Sequence, residues 1–232
     1  LIIVAYHYRQ LDTYDNYLES ASTSAELAEA AFLRGDAAFH MGRYHDTVKA
    51  LTKSLSIEKT PEYAYLEADA YNMLGMLFAF VGYENIALDN YLSATASAKK
   101  HRNIQEQVSA LLNIGILYQT LGDYRKAMSY YKKGYEAANN EYGTPELMLV
   151  LLCLIQQAQV LFKMRRFDDA KRLKREIDSY YQVIAHDEIV LPKCIFEVWM
   201  ESRFGTEQHV QELIEEIRQY LIRDTEYLEQ ID

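Results

Sequence analysis

The residues that could do chemistry in this sequence are scattered, and they form no catalytic or metal-binding pattern. No histidine has a second histidine or cysteine three or four residues away, which a metal site on a helix would require. Neighbouring carboxylates such as Asp168 and Asp169 diverge around a helix, so they cannot act as an acid–base pair. The sequence has no glycine-rich phosphate loop and no nucleophile elbow. We therefore expect no enzyme activity, no metal and no cofactor.

Composition and cysteine content narrow the class of protein further. Half of the 232 residues are hydrophobic and a quarter are charged, which suits a domain with a sizeable core. Nine glycines and three prolines favour long helices over a turn-rich β fold. No stretch reaches the roughly 18 apolar residues that a membrane helix needs. Two cysteines, Cys153 and Cys194, make no disulfide framework, so we expect a reducing, cytoplasmic compartment.

Basic residues are concentrated in one segment, which raises the question of nucleic-acid binding. Residues 163–175 contain seven lysines and arginines, although the whole chain has a net charge of −10. General nucleic-acid binders are usually basic, so this net charge argues against such a role. Two interpretations of the segment remain. It is a solvated helix face, as most charge runs are, or it is a basic patch that contacts RNA or a lipid head group.

The elements that position these residues are helices, and the clearest example is a hairpin at residues 111–138. Its sequence, LLNIGILYQTLGDYRKAMSYYKKGYEAA, predicts two amphipathic helices joined by a turn at Gly122. Gly115 and Ala127 are small residues at the positions where the two helices must touch. Tyr131 lies on the buried face of the second helix.

Weaker copies of this hairpin recur along the chain at a nearly fixed interval. The helix glycines Gly35, Gly75 and Gly115 are 40 residues apart. A turn glycine follows each of them after seven residues, at Gly42, Gly82 and Gly122. One helix pair cannot bury its apolar face alone, so successive pairs must stack on one another. We therefore predict an all-α solenoid of stacked antiparallel helix pairs.

Turn and cap signals set the expected boundaries. Residues 1–24 form an N-terminal helix or partial repeat, with a hydroxyl N-cap for the next helix at residues 22–24. Residues 223–232 begin a further helix, and both ends look cut, so we expect a piece of a longer protein. Between them, residues 25–222 hold about five repeat-like pairs, at 25–57, 62–99, 104–140, 146–185 and 191–221.

Small residues also predict how the helices touch. Gly75 and Ala87 should let the two helices of the second pair approach closely, and Tyr91 should pack towards the following pair. Replacing Ala127 by leucine should force the third pair apart, at an overpacking cost of roughly 1–3 kcal/mol.

These residues resemble tetratricopeptide repeats from about residue 25 to residue 221. The third repeat matches best, whereas Thr47 replaces the usual small residue in the first, and Lys174 stands where Tyr131 stands in the third. The 40-residue period is similar to the longer repeats of kinesin light chains and of peptide-sensing bacterial regulators of the Rap and PlcR type. The second and third repeats also resemble repeat regions that precede diguanylate cyclase (GGDEF) domains.

The resemblance implies a right-handed superhelix whose first helices line a concave groove for a peptide or partner helix. Asn and Gln side chains carry both a donor and an acceptor, so they can pair with the backbone of an extended peptide. For Asn113 a second interpretation stays open, in which it bonds to neighbours inside the repeat. By repeat position the groove residues are Phe32, Asp36, His40, Asp69, Asn72, Phe80, Asn113, Gln119, Gln156, Gln159 and Lys163.

The sequence thus predicts an interaction module and not an enzyme. The first hypothesis is a protein- or peptide-binding scaffold, the sensory or interaction part of a larger bacterial signalling protein such as a diguanylate cyclase. The alternative is a regulatory domain that contacts nucleic acid through residues 163–175. A homo-oligomer is also considered, because the exposed ends of a solenoid leave apolar faces uncovered.

Overall fold

The computed structural model describes residues 2–57, 65–139, 146–181, 196–198, 200–202 and 205–230. These residues are almost entirely helical, and no strand occurs among them, so the all-α prediction is confirmed. The helices are α1 (Ile2–Ser20), α2 (Ser24–His40), α3 (Tyr44–Ser56), α4 (Tyr65–Phe80), α5 (Glu84–Lys100), α6 (Ile104–Thr120), α7 (Tyr124–Asn139), α8 (Leu147–Lys163), α9 (Phe167–Tyr181) and α10 (Glu207–Gln230).

The chain divides into two compact units, residues 1–117 and 118–232. In the first unit α2 packs against α3 and α4 packs against α5, while α1 lies against α2. In the second unit α8 packs against both α7 and α9. Each unit is therefore a stack of helical hairpins, as the repeat spacing predicted. None of the described helices combines the length and the apolar character needed to cross a bilayer.

Side-chain caps fix where several helices begin. The Thr23 hydroxyl accepts a hydrogen bond from the backbone N–H of Glu26, and the Glu26 carboxylate accepts one from the backbone N–H of Thr23, both at 3.1 Å. This reciprocal pair is a complete capping box. The carboxamide oxygen of Asn103 caps α6 through the N–H of Glu106, also at 3.1 Å. The predicted N-cap at residues 22–24 is thus confirmed at Thr23.

The turns that follow the first helices of three pairs contain glycines with a left-handed backbone. The φ angle is +70° at Gly42, +85° at Gly82 and +79° at Gly122. Residues with a Cβ atom adopt this region only at a cost, which explains the regular glycines. Arg165 occupies the corresponding turn after α8 and has a φ of +59°, although it is not a glycine.

Within the pairs, the helix glycines allow the close contacts that were predicted. A Cβ atom on Gly75 would lie 2.5 Å from Cδ1 of Tyr91, and one on Gly35 would lie 2.6 Å from Cδ2 of Leu51. Only glycine fits there unless the neighbouring side chain moves. The ring of Tyr91 therefore lies against Gly75 in its own pair. The missing Gly75 side chain leaves a space that this ring fills, and the expected packing of Tyr91 towards the following pair stays a prediction.

One predicted boundary is wrong and several lie outside the described residues. Helix α10 continues from Glu207 to Gln230 without a break, through residues 222–223 where a new helix was expected. Neither glycine nor proline occurs between its ends, so nothing in the local sequence stops the helix. The boundary signals near residues 60 and 144, the end of the fourth pair beyond residue 181, and most of residues 191–203 lie outside the described residues.

Candidate functional site

Four polar side chains link α4 to α6 in the first unit. Asp69 and Asn72 belong to α4, and Glu106 and Asn113 belong to α6; together they form the α4–α6 polar network. The Nδ2 atom of Asn113 donates a hydrogen bond to Oδ1 of Asn72 at 2.9 Å. The Asn72 side chain also hydrogen-bonds the Glu106 carboxylate, which in turn hydrogen-bonds Asp69. The network therefore joins the first helices of two successive pairs by a continuous chain of hydrogen bonds.

Helical spacing places these side chains together. Asp69 and Asn72 are three residues apart on α4, and Glu106 and Asn113 are seven apart on α6, so each pair lies on one face of its helix. Asn72 is only 8% exposed. A buried amide of this kind needs its partners, because an unpaired polar group in a protein interior costs about 1–3 kcal/mol.

The two carboxyl groups of the network have raised pKa values. Burial raises the pKa of Asp69 to about 7, and the charge of Glu106 and its hydrogen bond act in the same direction. Burial also raises the pKa of Glu106, whereas its hydrogen bonds with Asp69 and Asn72 act to lower it. Both carboxyl groups are therefore harder to ionise than exposed ones, and on Asp69 all of the influences act in the same direction.

The predicted groove residues of α2 divide between the core and the surface. Phe32 is half-buried and packs against a core cluster that includes Leu51 and Leu74. One turn later, Asp36 Oδ1 lies 3.4 Å from His40 Nε2, and both side chains are partly exposed. Asp36 and His40 thus offer a polar surface at the end of α2, while Phe32 contributes mainly to packing.

Two large apolar side chains at first-helix positions remain exposed. Phe80, the last residue of α4, is 73% exposed, and Ile116 on α6 is 42% exposed. Tyr44 covers one side of Phe80, with ring centroids 5.6 Å apart. Burying side chains of this size in an interface would contribute about 25 cal/mol for each Å² of apolar surface removed from water.

The predicted groove residues of the second unit are less available. Gln119 accepts a hydrogen bond from the Tyr131 hydroxyl at 3.2 Å, so its amide stabilises its own hairpin. On α8, Gln156 is half-buried and Gln159 is only 9% exposed. Lys163, at the end of the same helix, is exposed.

Acidic neighbours engage several side chains of the basic segment at residues 163–175. Asp169 accepts hydrogen bonds from both Arg166 and Arg172, and these bonds lower its pKa. The Lys174 Nζ atom lies 2.8 Å from Asp178 and 3.6 Å from Glu197. This arrangement is the one expected of a solvated, ion-paired helix face.

Sequence reasoning missed Glu106, which is central to the network. The residue lies in the first turn of α6, three residues after the Asn103 cap, where an acidic side chain usually stabilises the start of a helix. Because this local role already explains an acidic residue here, the sequence did not predict the contact of Glu106 with Asp69, which lies 37 residues earlier. The described residues contain no group of three or more His, Cys, Asp or Glu side chains that could hold a metal ion.

Comparisons with known proteins identify the repeat type and the fold. Residues 108–141 match the tetratricopeptide repeat family. No curated protein matches the chain significantly. Aspartyl phosphate phosphatase F from Bacillus subtilis is structurally similar over 97% of this chain and 61% of its own, with a TM-score of 0.73 and 17% identity.

Two further solved structures are similar over most of their length. The apo form of RapI aligns over 97% of this chain and 83% of its own, with a TM-score of 0.72 and 17% identity. BtubC (BKLC) from P. vanneervenii aligns over 96% and 91%, with a TM-score of 0.67 and 13% identity. The chain thus contains a tetratricopeptide repeat and has an all-helical solenoid fold similar to that of Rap-type proteins. The predicted fold class and the predicted resemblance to tetratricopeptide repeats and to Rap-type proteins are confirmed.

Proposed function

We propose that this chain is a protein- or peptide-binding scaffold, and that the first-helix face of α2, α4 and α6 is its binding surface. The observation that carries the proposal is the exposure of Phe80, which is 73% accessible, whereas most aromatic side chains in the described part of the chain are at least partly buried. Exposed apolar side chains of this size commonly mark sites of protein interaction. A tetratricopeptide repeat at residues 108–141 supports the same class of function.

Only some of the predicted groove side chains are available to a ligand. Asn72 and Asn113 hydrogen-bond each other, so their amides serve the network between α4 and α6. Contacts to a ligand would instead come from the exposed apolar residues Phe80 and Ile116 and from the polar surface of Asp36. This surface favours a ligand that inserts apolar side chains as anchors, because such anchors contribute most of the energy of an interface.

A peptide selection on the full chain would test the proposal. Phage-displayed random peptides would be selected on the wild type, and the enriched peptides would be measured against a Phe80→Ala/Ile116→Ala variant. The matched control is Leu92→Ala, which removes a 43% exposed apolar side chain from the second helix of a pair.

We expect at least a tenfold loss of affinity in the double variant and little change in Leu92→Ala. A library that yields no binder, or peptides that bind all three proteins equally, would contradict the assignment of this face. Salt-dependent binding of RNA or DNA in a gel-shift assay would instead favour the nucleic-acid alternative through residues 163–175.

A finer proposal concerns the protein in which this module works. We propose that it is the input or interaction part of a larger bacterial signalling protein, such as a diguanylate cyclase. The resemblance of the second and third repeats, in sequence alone, to repeat regions that precede such domains supports this. An immunoblot of the source cells tests it, because a band far above 27.0 kDa is expected. A single band at that mass would contradict the finer proposal and leave the scaffold proposal intact.

A further inference from the structure

We propose that Asp69 and Glu106 share one proton, and that the hydrogen bond it forms holds α4 against α6 in a pH-dependent way. We call this contact between the two helices the pH-dependent joint. The joint is independent of the peptide-binding proposal, because it concerns contacts inside the unit. It connects the first helices of the second and third pairs, so its state would also affect the spacing of the proposed binding face.

The hydrogen bonds of the network require this proton. Two ionised carboxylates have only acceptor atoms and cannot hydrogen-bond each other. Asn72 accepts at Oδ1 from Asn113, so its Nδ2 group is the donor to Glu106. The bond between Glu106 and Asp69 therefore needs a proton on one of them. Because Glu106 already receives a donor from Asn72, the proton belongs on Asp69.

The surroundings of Asp69 also favour its neutral form. Its Oδ1 atom is buried and has no hydrogen-bond partner among the described residues. An ionised carboxylate would leave a buried negative charge on this oxygen without a donor, which is far more costly than a neutral group. Burial and Glu106 are the influences that act on Asp69, and both oppose ionisation.

Among the described residues, Glu106 is the one charged group that acts on the pKa of Asp69. On α4 itself, Glu67 accepts a hydrogen bond from Ser97 of α5 at 2.6 Å and lies 3.9 Å from Nε2 of His101. On α2, Asp36 and His40 pair with each other. On α3, the basic side chains Lys49 and Lys53 line a pocket beside α1 and α2. None of these groups contributes to the shift of the Asp69 pKa.

The direction of the pH effect follows from the difference in bound protons. In the unfolded chain an aspartate loses its proton near pH 3.9. In the folded chain Asp69 keeps its proton up to about pH 7. Between these values the folded state binds more protons, so the free energy of unfolding decreases as the pH rises. The joint is complete in acid and is lost as the pH rises through about 7. Two carboxylates then repel each other across α4 and α6.

Carboxyl carbon NMR together with thermal unfolding would test the proposal on the full chain. The proteins would be the wild type, Asp69→Asn, Glu106→Gln and a control, Asp89→Asn, which removes an exposed carboxylate from α5. We expect one wild-type carboxyl signal, missing from Asp69→Asn, to titrate near pH 7. Between pH 5 and pH 8 the Tm of the wild type should fall by about 5 °C more than that of Asp69→Asn, whose amide keeps donating to Glu106. Asp89→Asn should follow the wild type.

The Glu106→Gln variant provides a second, independent result. With a neutral amide as its partner, Asp69 loses the repulsion from Glu106 and gains a donor, so its titration should move clearly below pH 7. An Asp69 midpoint below about pH 5 in the wild type would overturn the proposal, as would a midpoint that Glu106→Gln leaves unchanged. Parallel pH dependence of Tm in Asp69→Asn and Asp89→Asn would also overturn it. If Asp69→Asn does not fold, the wild-type titration and Glu106→Gln decide the question.

Discussion

The carboxamide nitrogen of Asn113 lies 2.9 Å from the carboxamide oxygen of Asn72, and this hydrogen bond joins two helices across 41 residues of sequence. Asn113 therefore bonds to a residue of the preceding pair, whereas the second interpretation of its position had it bonding to neighbours inside its own repeat. Because the Asn72 side chain also hydrogen-bonds Glu106, the bond between Asn113 and Asn72 is part of a network and not an isolated pair.

Replacing Asn113 by alanine should destabilise the first unit by about 1–3 kcal/mol, because the buried oxygen of Asn72 would lose its donor. Urea unfolding followed by circular dichroism would measure the loss. Asn90→Ala is a suitable control, since Asn90 donates only to the carbonyl of Ile86 one turn earlier, at 2.8 Å on the surface. Equal small losses in the two variants would show that the bond between Asn72 and Asn113 contributes little.

The sequence predicted the repeats well because each requires a small residue at one position. Glycine at 35, 75 and 115 is a local requirement of close helix contact, and it is visible in the spacing alone. The packing of Tyr91 on Gly75 and the contact of Glu106 with Asp69 depend on which side chains meet across 16 and 37 residues. Those pairings are set by helix orientation, so the repeat pattern could not predict them.

Replacing Gly75 by alanine should test the contact with Tyr91. Alanine favours a helix over glycine by about 1 kcal/mol, but overpacking against a ring that lies 2.5 Å from the new Cβ should cost roughly 1–3 kcal/mol. We therefore expect a net loss of stability in urea unfolding. In a Tyr91→Ala background the same change should become neutral or stabilising. A loss of the same size in both backgrounds would mean that the ring is not what excludes the side chain.

Arg165→Gly should stabilise the protein, because Arg165 holds a left-handed backbone that glycine adopts without strain. The left-handed region costs other residues about 1–2 kcal/mol, and the greater freedom of glycine in the unfolded chain offsets part of the gain. We expect a net gain of about 0.5–1 kcal/mol, measured as a higher Tm. Arg165→Ala keeps the strain and removes the same charge, so it should show no comparable gain. If both variants gain equally, the effect comes from the charge and not from the backbone.

Ala127→Leu should lower the Tm, because Ala127 is fully buried and a larger side chain must displace its neighbours. The expected cost is about 1–3 kcal/mol. Ala96→Leu is the matched control, since Ala96 is exposed on α5 and the added side chain would remain in solvent. An unchanged Tm in Ala127→Leu would mean that the assigned helix contact at this position is wrong.

Cys153 should be unreactive in the folded protein, because burial raises the pKa of its thiol to about 12. The thiolate is the reactive form, and at pH 8 only about one molecule in ten thousand would carry it even if reagent could reach the sulfur. In a Cys194→Ser variant, labelling with a thiol reagent should therefore be slow in buffer and fast in unfolding concentrations of urea. The labelling rate would then follow the opening of α8, which makes Cys153 a probe of local unfolding in the second unit. Labelling in buffer at the rate of a free thiol would contradict the burial of Cys153 and the packing of α8 around it.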